Sequence, residues 1–143
     1  NPTLLEQYNL KQTKCNILAC GLSCGVYDFD RLVHGDNPMP LRDTLMETIF
    51  NRKDFENHPL YKLSSVSYLM DHDFTPSYII SSEADSLYNE TKLLIDDCMK
   101  YHVNFRFHIF PESLQLPHVF NLKSIYPESK IVMDEMFAFF NSF

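Results

Sequence analysis

Glycine is scarce in this sequence: Gly21, Gly25 and Gly35 are the only three. A loop that cradles phosphate needs several glycines where a strand turns into a helix. A P-loop and a dinucleotide-binding fingerprint are therefore excluded. Cations are few as well, with 12 Lys and Arg against 19 Asp and Glu and a net charge of −7. None of them cluster, which argues against a nucleic-acid partner. No apolar run nears the roughly 20 residues of a membrane-spanning helix, so a soluble chain without a membrane span is expected. Cys15, Cys20 and Cys24 have no second pair to complete a zinc site, since Cys98 stands alone. They read as small apolar residues in and around a buried strand, with no metal implied. Free thiols in a core fit a reducing compartment, and a cytoplasmic location is expected on that ground.

What the sequence does hold is ordinary globular material. Its 143 residues fit one domain, and 45% apolar with 22% charged residues exclude a disordered chain. Eight prolines and twelve phenylalanines point to a well-packed fold punctuated by loops. The chain opens on Asn1-Pro2 without an initiator Met, so a trimmed start or a piece of something longer is expected.

Strand and helix patterns alternate along the chain. Residues 16–23 (NILACGLS) form a nearly continuous apolar run, as in a parallel strand buried on both faces. Residues 34–40 read as loop, and residues 41–50 place Leu41, Leu45, Met46 and Ile49 at helical spacing. Residues 63–70 fit either a helical turn or a loop. Residues 77–82 (SYIISS) form a short strand. A helix over residues 87–102 carries Leu87, Thr91, Leu94, Ile95, Cys98 and His102 on one stripe. Residues 103–110 alternate as a strand, with Val103, Phe105, Phe107 and Ile109 on one face. Pro127-Glu128 suits the first turn of a last helix, whose stripe is Val132, Met136, Phe139, Phe140 and Phe143. The order predicts an α/β fold with three parallel strands and crossover helices. Three parallel strands are few for this class. The first would keep one edge open, and the sheet looks incomplete.

Gly21-Leu22-Ser23-Cys24-Gly25 matches G-x-S-x-G, the nucleophile-elbow pattern. That pattern works only where a helix starts directly after the serine, and no such helix is predicted after Ser23. A second constellation carries more weight. Asp85 follows one strand and His118 follows the next, so both fall at the carboxyl edge of a parallel sheet, where such folds place ligands. An imidazole must be held in one tautomer by a carboxylate before it can take a serine proton. Alone, Asp85 reads as a helix cap and His118 as a loop residue.

Residues 76–87 (PSYIISSEADSL), the helix with Glu90 and Leu94, and Pro117-His118-Val119-Phe120 resemble the carboxyl-terminal part of the esterase/lipase branch of the α/β-hydrolases. Pro127-Glu128-Ser129 followed by Met136-Phe137 continues the likeness. The resemblance implies catalytic roles for Asp85 and His118, as the acid after the seventh strand and the base after the eighth. Two positions depart from the family pattern. Ser86 stands where Pro usually follows the Asp, and Val119 stands where Gly usually follows the His, which is expected to crowd the loop. The resemblance also makes residues 16–28 the sixth strand running into a cap, with Ser23 near its end. The true nucleophile and the oxyanion loop would then lie upstream of Asn1, and residues 28–75 would form a cap-like insert.

The implied activity is carboxylic ester hydrolysis on a small-molecule substrate, without a cofactor, and this chain by itself is expected to be inactive. Two alternatives stand beside it: a non-catalytic remnant serving binding or assembly, and a small complete hydrolase using Ser23. An open sheet edge predicts self-association or association with the missing half. Asp71-His72-Asp73 reads as a polar loop whose neighbouring side chains diverge. His102 is placed at a helix end and His108 on the outer face of a strand. Tyr27 and Phe29 read as core, with an acyl-pocket lining as the other option.

Overall fold

The computed structural model of the chain describes residue 6, residues 16–35 and residues 41–143. Cys15, Asn1-Pro2 and the 36–40 part of the predicted loop lie outside the described residues. The elements run β1 (Cys20–Ser23), α1 (Phe29–His34), α2 (Arg42–Phe50), α3 (Val66–Leu69), β2 (Ser77–Ser82), α4 (Tyr88–Lys100), β3 (Phe105–Phe110) and α5 (Pro127–Phe140). The strands form one sheet in the order β1-β2-β3, with both neighbours parallel. This is the predicted α/β arrangement.

The central strand shows why. All six residues of β2 are buried, so both faces are covered and no polar alternation is possible. On one face Ile79 packs with Leu94, Ile95 and Cys98 of α4 and with Val103. On the other, Tyr78 and Ile80 pack with Phe110, Leu116 and Phe120, and with Val132 and Phe139 of α5. Period-2 strands and period-3.6 helices thus meet in two cores, one above and one below the sheet. Helix α5 also lies close over β1. A Cβ placed on Gly21 would come within 2.7 Å of the Met136 sulfur, so glycine there permits the approach.

Several expectations need correction. Strand β1 begins at Cys20 rather than residue 16, and Ile17 and Leu18 stand 69% and 60% exposed. β2 supplies partners only from Ser77 onward, and among the described residues no strand covers the other edge of β1. Apolar residues without a neighbour do not make a strand. Residues 63–70 resolve into a 3-10 turn at Lys62–Ser64 followed by α3. Helix α4 ends at Lys100, and His102, left-handed at φ 57, sits exposed beyond it and off the buried stripe. On β3 only Phe110 is fully buried, while Phe107 is exposed, as befits an edge strand. Of the predicted α2 stripe only Met46 is buried; Leu41, Leu45 and Ile49 remain exposed.

A third core lies within residues 28–75. Leu32, Val33, Met46, Phe50, Phe55 and Tyr61 cluster there, and the seventh member is Leu87 from the start of α4. The bidentate pair of Arg31 with Asp97 ties α1 to the same helix at 2.9 and 3.2 Å. Residues 28–75 are therefore anchored, through Leu87, two residues from Asp85.

Candidate active site

The turn after β2 builds the first half of the site. Its backbone folds back at once, with the Asp85 N–H donating to the Ser82 carbonyl at 3.0 Å. The Asp85 carboxylate then accepts the Leu87 N–H at 2.7 Å, which organises the entry to α4. This is a turn ahead of the helix rather than the expected cap: the N-cap position is Leu87, and no side chain caps α4. The turn uses one lone pair of Oδ1 and leaves the rest of the carboxylate for other donors.

The loop after β3 builds the second half. Two buried anchors, Leu116 and Phe120, flank the exposed His118 and pin its loop to the lower core. The Phe120 N–H donates to the Pro117 carbonyl at 3.0 Å, closing a tight turn around His118. Buried Ser129, in the first turn of α5, donates to the Phe120 and Lys123 carbonyls and fixes the loop from below.

These two segments bring Asp85 and His118 together. The imidazole Nδ1 lies 3.1 Å from Oδ2 and 3.3 Å from Oδ1. The Asp85 side chain is fully buried, whereas that of His118 is 49% exposed. A buried carboxylate that engages Nδ1 sets the tautomer and leaves Nε2 for a reacting group.

Sequence reading did not find a third member of this cluster. Cys24, one residue beyond β1, is buried, and its sulfur, an Asp85 carboxylate oxygen and a His118 ring nitrogen lie within 4.8 Å of one another. The thiol faces the Asp85 carboxylate, with Ser23 and Val119 beside it. Burial, and then the carboxylate beside it, push the thiol up to about 11. It therefore keeps its proton at neutral pH and is not a thiolate nucleophile. Its strand position was legible; its contacts were not, because the G-x-S-x-G pattern directs attention to Ser23. That serine donates its hydroxyl to the Asn121 side chain at 2.7 Å. Only the six-residue α1 follows, starting five residues after Cys24, so the strand-turn-helix context of an elbow is missing.

Val119 carries a strain that its sequence context foreshadows. Its φ is 50°, in the left-handed region that a β-branched residue rarely enters. Glycine would take this backbone freely, and this chain takes it with Val. The cost of such a conformation is about 1–2 kcal/mol, partly offset by the lower chain entropy of an unfolded Val relative to Gly. Val119→Gly is expected to raise stability by up to about 1 kcal/mol, seen as a higher urea midpoint. A lowered midpoint would show that packing of the half-buried Val side chain outweighs the strain.

The remaining candidates sort simply. The ligand atoms of Asp71, His72 and Asp73 converge to within 4.8 Å rather than diverging, because the Asp73 N–H donates back to the Asp71 carboxylate. All three are exposed. His108 is half-buried, stacks on Phe110 and shares the Glu135 carboxylate with the Tyr78 hydroxyl. Tyr27 is core, its hydroxyl accepting the Gly25 N–H, and Phe29 packs edge-on against Phe50. A cleft of about 220 Å³ between the insert and α4 is lined by Asp28, Arg31, Lys62 and Asp97 among others, and neither Asp85 nor His118 lines it.

Neither a protein-family model nor a curated protein matches the sequence. Solved structures do match the fold. Esterase B from Lactobacillus rhamnosis (HN001) superposes with a TM-score of 0.83 at 21% identity, over 99% of this chain and 45% of that one. The same esterase inhibited by a C4-C4 tributyrin phosphonate gives a TM-score of 0.81 at 22% identity, again over 99% and 45%. A C6-C4 inhibited form gives 0.81 at 20%, over 99% and 46%. The chain thus has the fold of part of an esterase-like α/β-hydrolase and spans less than half the length of the structures it matches.

Proposed function

We propose that this chain carries the acid and the base of a serine hydrolase acting on carboxylic esters, and that the nucleophile lies in a segment upstream of Asn1. The observation that carries the reading is the buried Asp85 carboxylate held on Nδ1 of the half-exposed His118. In the proposed reaction the upstream serine attacks the ester carbonyl while His118 Nε2 takes its proton. The imidazolium then protonates the departing alcohol, and water repeats the sequence on the acyl-enzyme. Asp85 keeps Nδ1 protonated and stabilises the imidazolium formed at each step. Residues 28–75 serve as the cap over a small-molecule ester. Leu87 in the insert's core links that cap to the catalytic turn.

Two further features support the reading. The fold is that of part of an esterase, and the outer edge of β1 is unpaired among the described residues. That edge is the place where a preceding half-sheet would add its strands, with self-association as the alternative when the half is absent. The competing use of Ser23 is opposed by its hydrogen bond to Asn121. A non-catalytic remnant would have no need of an engaged acid–base pair at the carboxyl edge.

A phosphonate is the probe to choose, since a tributyrin phosphonate inhibits the esterase of the same fold. In the protein extended upstream of Asn1, a fluorophosphonate is expected to label one upstream serine and abolish turnover of short-chain nitrophenyl esters. Labelling at Ser23, or no labelling with no turnover, would overturn the proposal.

A further inference from the structure

Cys24 stands where three elements meet. Its backbone N–H donates to the Ile80 carbonyl at 3.1 Å, one rung beyond the β1–β2 pairing. There the chain enters the left-handed region at φ 50, an uncommon conformation for a residue other than Gly, Asn or Asp. The side chain so placed is 2% exposed, and its sulfur shares one small cluster with the Asp85 carboxylate and the His118 ring. Backbone strain of this kind persists where surrounding contacts hold it, and the contacts here are those of the acid–base pair.

The carboxylate needs what the thiol offers. Ionised Asp85 is a pure acceptor with room for about four donors, and water cannot reach its buried oxygens. Leu87 N–H occupies part of Oδ1, and His118 Nδ1 spans both oxygens. Oδ2 then meets only the His118 ring among these donors, so a further donor would hold the carboxylate plane, and the imidazole with it, more firmly. Meanwhile the backbone of Val119, adjacent to His118, lies beside the sulfur. One atom therefore sits between the acid and the loop that carries the base.

We propose that Cys24 is a positioning residue: its S–H donates to the Asp85 carboxylate while its sulfur accepts the Val119 N–H, fixing Asp85 and His118 in register. This rests on the reading of Asp85 and His118 as the catalytic pair. It differs from a role as core filler in a way that two substitutions separate. A filler prefers an apolar replacement, so Cys24→Ala would equal or exceed Cys24→Ser, which buries a hydroxyl. A donor prefers the reverse.

The test compares both variants in the protein extended upstream of Asn1, with histidines labelled by 15N. The His118 Nδ1–H resonance is identified by its loss in His118→Ala. In Cys24→Ala, kcat on a nitrophenyl ester is expected to fall by about tenfold or more with little change in KM, and Nδ1–H exchange with water to speed by a similar factor. In Cys24→Ser both are expected to stay within about threefold of wild type. Alanine matching or surpassing serine would overturn the proposal. Should Cys24→Ala fail to fold, the infrared S–H stretch of the otherwise wild-type protein decides. One band lost in Cys24→Ser should move to higher frequency in Asp85→Asn, and an unmoved band would refute the donor role. Slower Nδ1–H exchange in Cys24→Ser than in Cys24→Ala, in a protein that hydrolyses no ester, would refute the esterase reading and leave the positioning role standing.

Discussion

On the proposed function, His118→Ala is expected to lower kcat on a short-chain ester by about a million-fold in the protein extended upstream of Asn1, with KM close to wild type. In that mechanism the imidazole takes part only as bonds to the carbonyl form and break, so its loss would fall on the transition state rather than on substrate binding. Asp85→Asn should cost less, on the order of ten-thousand-fold, because the amide favours the wrong tautomer of His118 but leaves a base in place. The double variant should be no slower than His118→Ala alone. Asp85 acts through the 3.1 Å contact to Nδ1, and without the ring that contact has nothing to orient. Steady-state kinetics on the three proteins check this pattern. Additive losses, or a His118→Ala enzyme within tenfold of wild type, would remove the pair from the chemistry.

The parts of the fold that were legible in the sequence are those where one local signal and the tertiary demand agree. Residues 77–82 form a strand by composition, and the sheet uses all six as its buried centre. Pro127 reads as a helix start and stands in the first turn of α5. Where the two diverge, the pattern misleads. Ile17 and Leu18 are as strand-like as Ile79, yet a strand also requires a neighbour to bond, and hydropathy carries no information about neighbours. Leu45 and Ile49 are likewise apolar at helical spacing without being buried. At the site, Asp85 and His118 were legible because parallel topology alone carries both to one edge. Cys24 was not. Its contact with the carboxylate depends on a left-handed turn at a single residue, and no periodicity encodes that.

Phe120→Ala is the substitution expected to damage the scaffold most, by about 3–5 kcal/mol. The ring is 0% exposed and lies among Tyr78, Ile80, Phe110, Leu116, Val132 and Phe139, T-shaped to Phe110 at a centroid distance of 5.2 Å. Truncation would remove the transfer energy of the ring and leave a cavity walled by two strands and α5, elements too constrained to collapse into it. The loss is a large fraction of the roughly 5–15 kcal/mol that holds an ordinary domain together. It would also loosen the loop two residues from His118, because the Phe120 carbonyl is the anchor that Ser129 grips at 2.9 Å. Phe137→Ala serves as the control. That ring lies on the same helix as Phe139 but is 55% exposed, and its loss should stay within about 0.5 kcal/mol. Urea midpoints of both variants, read with unchanged slope, give the comparison. A Phe120→Ala loss below about 1 kcal/mol would mean that the His118 loop is not held by this core, and the site's rigidity would need another source.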